Sequence, residues 1–241
     1  MREPPVFKDL KKALGKVVQN RSLAGNRLNI ECQALSATEA IGDPDHHDYP
    51  ILKGKEHIVE AVFEGSRGHA FADEFENMGC FVEDLLELQL DSNSKRACFV
   101  SGLNAVFRHL NLCDKTVHCK NNEPQRCALQ LVESVRSYRK ILLLGYQPRF
   151  LEALSAVTDI RVIDRDLDNI GEMKFGVIVE HEEMFGDAAR WCDLVLATGS
   201  TLVNGTITKL LNFYKPVLFY GVTISAAASI LNLNKFCHCG N

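Results

Sequence analysis

The chain has 241 residues, 46% of them hydrophobic and 24% charged, with a formal net charge of −4. Such a balance excludes wholesale disorder and a fibrous class. It supplies no general positive field for a phosphate backbone, so no nucleic-acid partner is expected. No apolar run reaches the roughly 18 residues that a membrane helix needs, and MREPPVFKDL lacks the apolar centre of a signal peptide. A cytoplasmic protein without a membrane partner is expected, and its nine cysteines are then expected as reduced thiols.

In chain order, VFKDLKKALGKVV (6–18) carries apolar residues at three- and four-residue spacing, which predicts an amphipathic helix. RLNIECQAL (27–35) alternates and predicts a half-buried strand. The polar stretch SATEAIGDPDHHDYPILKGKE (36–56) is long for a connection and is expected as a functional loop. HIVEAVF (57–63) restores a strand pattern, and helices are expected at FENMGCFVEDLLELQL (75–90) and ACFVSGLNAVFRHLNL (97–112). Polar residues and Pro124 in CKNNEPQRC (119–127) interrupt the periodicity and mark a seam, giving domains at 1–120 and 121–241.

Beyond the seam, strand and helix patterns alternate. KILLLGY, DIRVID, FGVIVE, DLVLAT and KPVLFYG read as strands; PRFLEALSAV, MFGDAARWC, VNGTITKLLNFY and ISAAASILNL read as helices. The expected fold class is α/β: an α+β first domain followed by a Rossmann-like parallel sheet.

In such a sheet, ligands bind beyond the carboxyl ends of the strands. ATGSTLVNGT lies at one such end, where Gly199, Ser200, Thr201, Asn204 and Thr206 offer close backbone approach and donors for an anion. An ordinary glycine turn and helix cap is the alternative. The corner LLLGYQPRF offers Gly145, Tyr146 and Arg149, which read equally as surface residues, and it lacks the three glycines of the dinucleotide fingerprint. DRDLDNIG brings Asp164, Asp166, Asp168 and Asn169 to a third corner, as sugar or cation contacts or as a solvated acidic loop.

In the first half, IGDPDHHDYP reads as an aspartate-rich turn more readily than as a metal site, because adjacent histidines on extended chain face opposite ways. Glu39 and Asp43 are candidate acid or base groups if this loop folds over a cleft. His118 and Cys119 are candidate ligands for a divalent or heavy metal ion, as are Cys237, His238 and Cys239, although neither group has paired CxxC spacing. Hydrolase-elbow, zinc-protease, P-loop and kinase signatures are missing from the sequence.

Taken together, ALSATEAIGDPDHHDYPILKGKE, LNAVFRHLNLCDKTVHC, LLLGYQPRF, DLDNIG, DLVLATGSTLVNGTI and KPVLFYGVTISAAA resemble the bacterial and archaeal family called "putative heavy-metal chelation". That resemblance implies a first domain like the N-terminal domain of enolase, a Rossmann-like second domain, and a site in the cleft between them. Its pattern falls on Thr38, Glu39, Gly42 and Asp43, then on Gly145, Pro148, Arg149, Asp168, Asn169, Gly199, Ser200, Thr201, Asn204 and Gly205; the terminal CHCGN departs from it. The expected function is capture of a small anionic molecule or a heavy-metal complex in that cleft. The alternative is a small-molecule lyase or transferase with Glu39 or Asp43 as acid or base. Homo-oligomerisation is left open.

Overall fold

The computed structural model describes all residues except 1–2, 22, 24–26, 55 and 75–77, and residues 27–34 as backbone only. Helix α1 (Val6–Asn20) buries Val6, Phe7, Leu10, Leu14 and Val18, the apolar stripe of the sequence. Phe7 meets Phe99 edge-on, with ring centroids 5.7 Å apart. Strand β1 (Arg27–Ala34) follows, then a short helix α2 (Ala37–Ile41), which interrupts the expected loop and is closed at its start by Ser36 and Glu39 in a capping box.

Strands β2 (His57–Phe63) and β3 (Ser66–Ala72) form a hairpin. Its two-residue turn, Glu64 and Gly65, has φ of 47° and 76°, the left-handed pair that matches strand twist. Of the helix expected over 75–90, the described residues form only one short turn near its end. Strand β4 (Cys80–Phe81) pairs with β1, and helix α3 spans only Asp84–Glu87. Asp84 Oδ2 accepts the Phe81 amide at 2.7 Å, a local side-chain bond that competes with helix. The antiparallel sheet runs β3-β2-β1-β4. Helix α4 (Asn93–His109) crosses β3 at Gly68, where a Cβ would collide with Ser101 O and Ala105 N.

Helix α5 (Glu123–Val135), opened by Pro124, leads into the second sheet. In chain order come β5 (Lys140–Leu144), α6 (Pro148–Ser155), β6 (Asp159–Ile163), β7 (Met173–Lys174), β8 (Val177–Glu180), α7 (Phe185–Trp191) and β9 (Leu194–Thr198). Helix α8 (Ser200–Val203), β10 (Val217–Tyr220), α9 (Ser225–Leu231) and β11 (Lys235–Phe236) complete it. The order is β11-β10-β9-β5-β6-β8-β7, parallel throughout except for the β7–β8 pair. The helix expected over 203–214 begins earlier, at Ser200, and breaks at Gly205, whose φ is +79°. A 3-10 turn, Thr206–Lys209, follows, with Asn204 Oδ1 accepting from the Thr206 amide and hydroxyl.

Alternate residues of the central strands enter two cores. Ile141, Leu143 and Leu196 face Leu131 of α5 and Leu151 of α6. Leu142, Val195 and Ala197 face the other way, into a cluster that includes Phe99, Leu103 and Val106 of α4. The first half therefore covers one face of the parallel sheet. Buried polar groups stitch the two together: Asn104 Nδ2 donates to the carbonyls of His69, Val222 and Thr223, at 2.9, 3.2 and 3.3 Å, while its Oδ1 accepts from Ala226 N. Arg96, 1% exposed, donates to the carbonyls of Val203 and Leu90 and to Asn93 Oδ1.

Candidate ligand-binding cleft

Strand β5 is central: the chain proceeds from it to β6 on one side and returns to β9 on the other. Loops that leave β5 and β9 must therefore diverge, which opens a crevice beyond their carboxyl ends. A cavity of about 530 Å³ lies there. Its floor comes from the strand ends, including Gly145, Tyr146, Asp164, Gly199 and Ser200; its roof comes from the first half, including Phe71, Asp73, Asn93 and His118.

The glycines at this floor answer first to packing. A Cβ on Gly145, whose φ is +88°, would lie 2.7 Å from Thr198 Cγ2, and one on Gly199 would lie 2.9 Å from Ile224 N. Several expected anion donors are already engaged. The Thr201 hydroxyl donates to Thr198 O at 2.7 Å, the Thr206 hydroxyl donates to Asn204 Oδ1, and the Gly199 amide donates to Tyr220 O at 2.8 Å.

Carboxylates mark the opposite character. Glu56, Asp73, Asp164 and Asp166 all line the cavity. Asn93 Nδ2 donates to both oxygens of Asp73 at 2.7 and 2.9 Å, and Arg96 in turn holds Asn93. Asp164 accepts from the amides of Tyr146 and Asp166 at 2.6 and 2.7 Å. Burial, aided by the charges of Asp164, Asp166 and Asp73, pushes the Glu56 carboxyl up to about 7.

The third wall carries sulfur and imidazole. His118, Cys119, Cys127 and Cys237 face the cavity. Burial first, then the neighbouring His69 ring, pushes His118 down to about 4, so it is neutral at ordinary pH, and its buried Nδ1 has no hydrogen-bond partner among the described residues. The ring packs edge-on against Phe71 at 5.2 Å. The amide of His118 donates to His69 Nδ1 at 3.1 Å, which leaves His69 Nε2 to donate to Glu60 at 2.7 Å. Among the described residues no three His, Cys, Asp or Glu side chains already stand as a ligand set for a bare ion.

Of the residues singled out in the sequence, Gly145, Tyr146, Asn169, Gly199, Ser200, Thr201, Asn204, His118 and Cys119 meet at this cavity. Thr38, Glu39, Asp43, Arg149 and Asp168 do not line it. Glu39 is exposed and engaged in the cap of α2, where Ser36 holds its carboxyl below the usual range. The Asp43 amide donates to Asn121 Oδ1 at 2.9 Å, docking its loop on the chain before α5. Arg149 Nη2 donates to Asp48 and Nη1 to Glu152, both at 2.5 Å, and Tyr49 and Phe175 flank the guanidinium. Asp168 donates its amide to Asp166 Oδ1. Sequence reasoning quoted Glu56 as the end of the 36–56 stretch without singling it out, and missed Asp73 and Asn93; the approach of separate elements gathers all three.

Residues 128–238 match the family DUF364, described as "Putative heavy-metal chelation". The resemblance read from the motifs is thus found again over the second sheet. No functionally curated protein matches the chain. Two solved structures are similar over most of it. One is a protein of unknown function from Pyrococcus horikoshii, assigned to the same family: TM-score 0.54, 14% identity, covering 90% of this chain and 79% of the other. The second, from Desulfitobacterium hafniense DCB-2, has the same assignment: TM-score 0.51, 10% identity, covering 92% and 83%. At these identities the likeness shows the fold.

Proposed function

We propose that this chain is a binding protein whose cleft takes up a heavy-metal complex or another small cationic ligand, gripped between the carboxylate wall and the thiol–imidazole wall. The observation that carries this reading is the raised Glu56 carboxyl, facing Asp73, Asp164 and Asp166 across one cavity. Like charges held together in a partly dehydrated site repel, and a bound cation relieves that repulsion. A metal already carrying some of its own ligands suits such a site, because the walls then supply charge and a few donors rather than a full coordination sphere. The family description points to the same class of cargo. Arg149, the cation named for the anionic cargo expected from the sequence, is bound to Asp48 and Glu152, while Arg165 and Lys209 stand on the cavity lining among the carboxylates.

The test is equilibrium dialysis of the native protein with elemental analysis, alongside mass spectrometry of what co-purifies. Retention of metal or an organic cation, reduced tenfold or more by Asp164→Asn with Glu56→Gln, is the expected result. Retention of an anion, or no change in the double variant, overturns the reading.

Glu56 also favours a second reading. A carboxyl near 7 is suited to move protons at neutral pH, a role that exposed Glu39 and Asp43 are not placed to take in this cavity. An enzyme of this kind loses turnover in Glu56→Gln while still binding its ligand.

A further inference from the structure

Four thiols converge where the chain's last residues return to the seam between the sheets. Val117 and Asn241 exchange backbone hydrogen bonds, Val117 N to Asn241 O at 2.7 Å and Asn241 N to Val117 O at 3.0 Å. This pairing lays Cys237 and Cys239 beside Cys119. The backbone packs closely there: a Cβ on Gly240 would lie 2.6 Å from Cys237 Sγ. Cys127, in the second turn of α5, sits at the middle of the group. Its Sγ accepts the Cys239 amide at 3.2 Å, and the thiols of Cys119 and Cys239 are its side-chain partners. Cys119 and Cys127 are 8% and 5% exposed, yet both face the 530 Å³ cavity, so a small molecule inside it reaches sulfur that bulk reagents do not.

We propose that Cys127 and Cys119 are a thiol–disulfide exchange pair acting on a low-molecular-weight disulfide admitted by the cavity. The Cys127 thiolate attacks one sulfur of the disulfide RSSR; the S–S bond breaks, a mixed disulfide forms on Cys127, and the first RS⁻ departs and is protonated. The Cys119 thiol then gives up its proton and attacks Cys127 Sγ, expelling the second RSH. The two protein thiols are oxidised to one disulfide, and RSSR is reduced to two thiols. The Cys239 amide aimed at Cys127 Sγ favours negative charge on that sulfur and marks it as the attacking one. The bridge closes the short segment 119–127, whose Asn121 and Asn122 hold the loop containing Asp43 and Asp45, so oxidation also pins that loop. The same two sulfurs stand in the wall proposed to grip the cargo, so a metal held there blocks the exchange and the test is run on protein stripped of bound metal.

The test uses the full-length native protein with bis(2-hydroxyethyl) disulfide, thiols then being blocked and tryptic fragments weighed. The expected product is TVHCK (116–120) joined to CALQLVESVR (127–136), with the loss of two hydrogens, reversed by dithiothreitol. In Cys119→Ala the hydroxyethyl adduct accumulates on Cys127, and in Cys127→Ala Cys119 stays reduced. No cross-link in the native protein overturns the proposal. So does a bridge from Cys127 to the fragment FCHCGN (236–241) in place of Cys119. Because the native protein alone gives this readout, a poorly folding variant does not obscure it.

Discussion

Arg149 and Asp48 lie 101 positions apart in the sequence and 2.5 Å apart in space, and their contact fastens the polar loop of the first half to α6 of the second. The guanidinium is 2% exposed and Asp48 is 37% exposed, so the two partners respond differently to loss of the other. Arg149→Met leaves Glu152 and the exposed part of Asp48 to water. Asp48→Asn leaves a buried cation with Glu152 alone. Asp48→Asn is expected to lower unfolding free energy by about 1–3 kcal/mol. Chemical denaturation checks this, together with faster proteolysis of the 43–50 loop.

The cavity holds two groups whose titration pulls stability in opposite directions. Glu56 is raised from 4.5 to about 7, so the native state binds the extra proton; its contribution is full below pH 4.5 and is lost as pH rises through 7. His118 is lowered from 6.5 to about 4, so its contribution is present above pH 6.5 and is lost as pH falls through 4. Between pH 4.5 and 6.5 the two slopes offset each other. Glu56→Gln is expected to leave stability rising with pH across this window, and His118→Gln to leave it falling, each by on the order of 2 kcal/mol. Urea titrations at several pH values read the slopes directly; a flat profile in both variants contradicts the assignment.

The Glu56 shift also sets the pH dependence of cargo uptake. A cation entering beside a protonated carboxyl must displace that proton. Affinity for a cationic probe such as hexaamminecobalt(III) is therefore expected to rise as pH increases through 7 and then level off, with proton release on binding below that pH. Calorimetry in buffers of different ionisation enthalpy measures the proton count, which Glu56→Gln should bring close to zero.

Arg96 supports the cleft without entering it. Its three acceptors lie on Val203, Leu90 and Asn93, and Asn93 holds Asp73 on the cavity wall. Lysine presents one compact ammonium in place of a planar fork, so it does not reach all three. Arg96→Lys is expected to cost at least about 2 kcal/mol in stability, and Arg96→Leu more, since it strands buried acceptors. Thermal melts rank them, and both should weaken probe binding through Asp73.

Much of the second sheet was legible because its central strands, β5 and β9, are buried on both faces and so appear as nearly unbroken apolar runs, KILLL and LVLAT. Their glycine ends marked Gly145 and Gly199, which do stand at the cavity. Strand β3, in contrast, hides His69 and Gly68 in the core. His69 is satisfied by Glu60 and by the His118 amide, partners that no local pattern announces. Glu56 and Asp73 belong to the site through the approach of one sheet to another. Ser36 and Glu39 carry a capping signature, and their local roles in α2 account for it.

The apolar cluster that takes in Phe7 and Phe99 also takes in Leu142, Ala197 and Phe219. Melting should therefore be a single cooperative event rather than two, and fragments cut at the seam should fail to stay soluble alone, each exposing the surface its counterpart covered. Access to the cavity then does not call for a hinge swinging the halves apart.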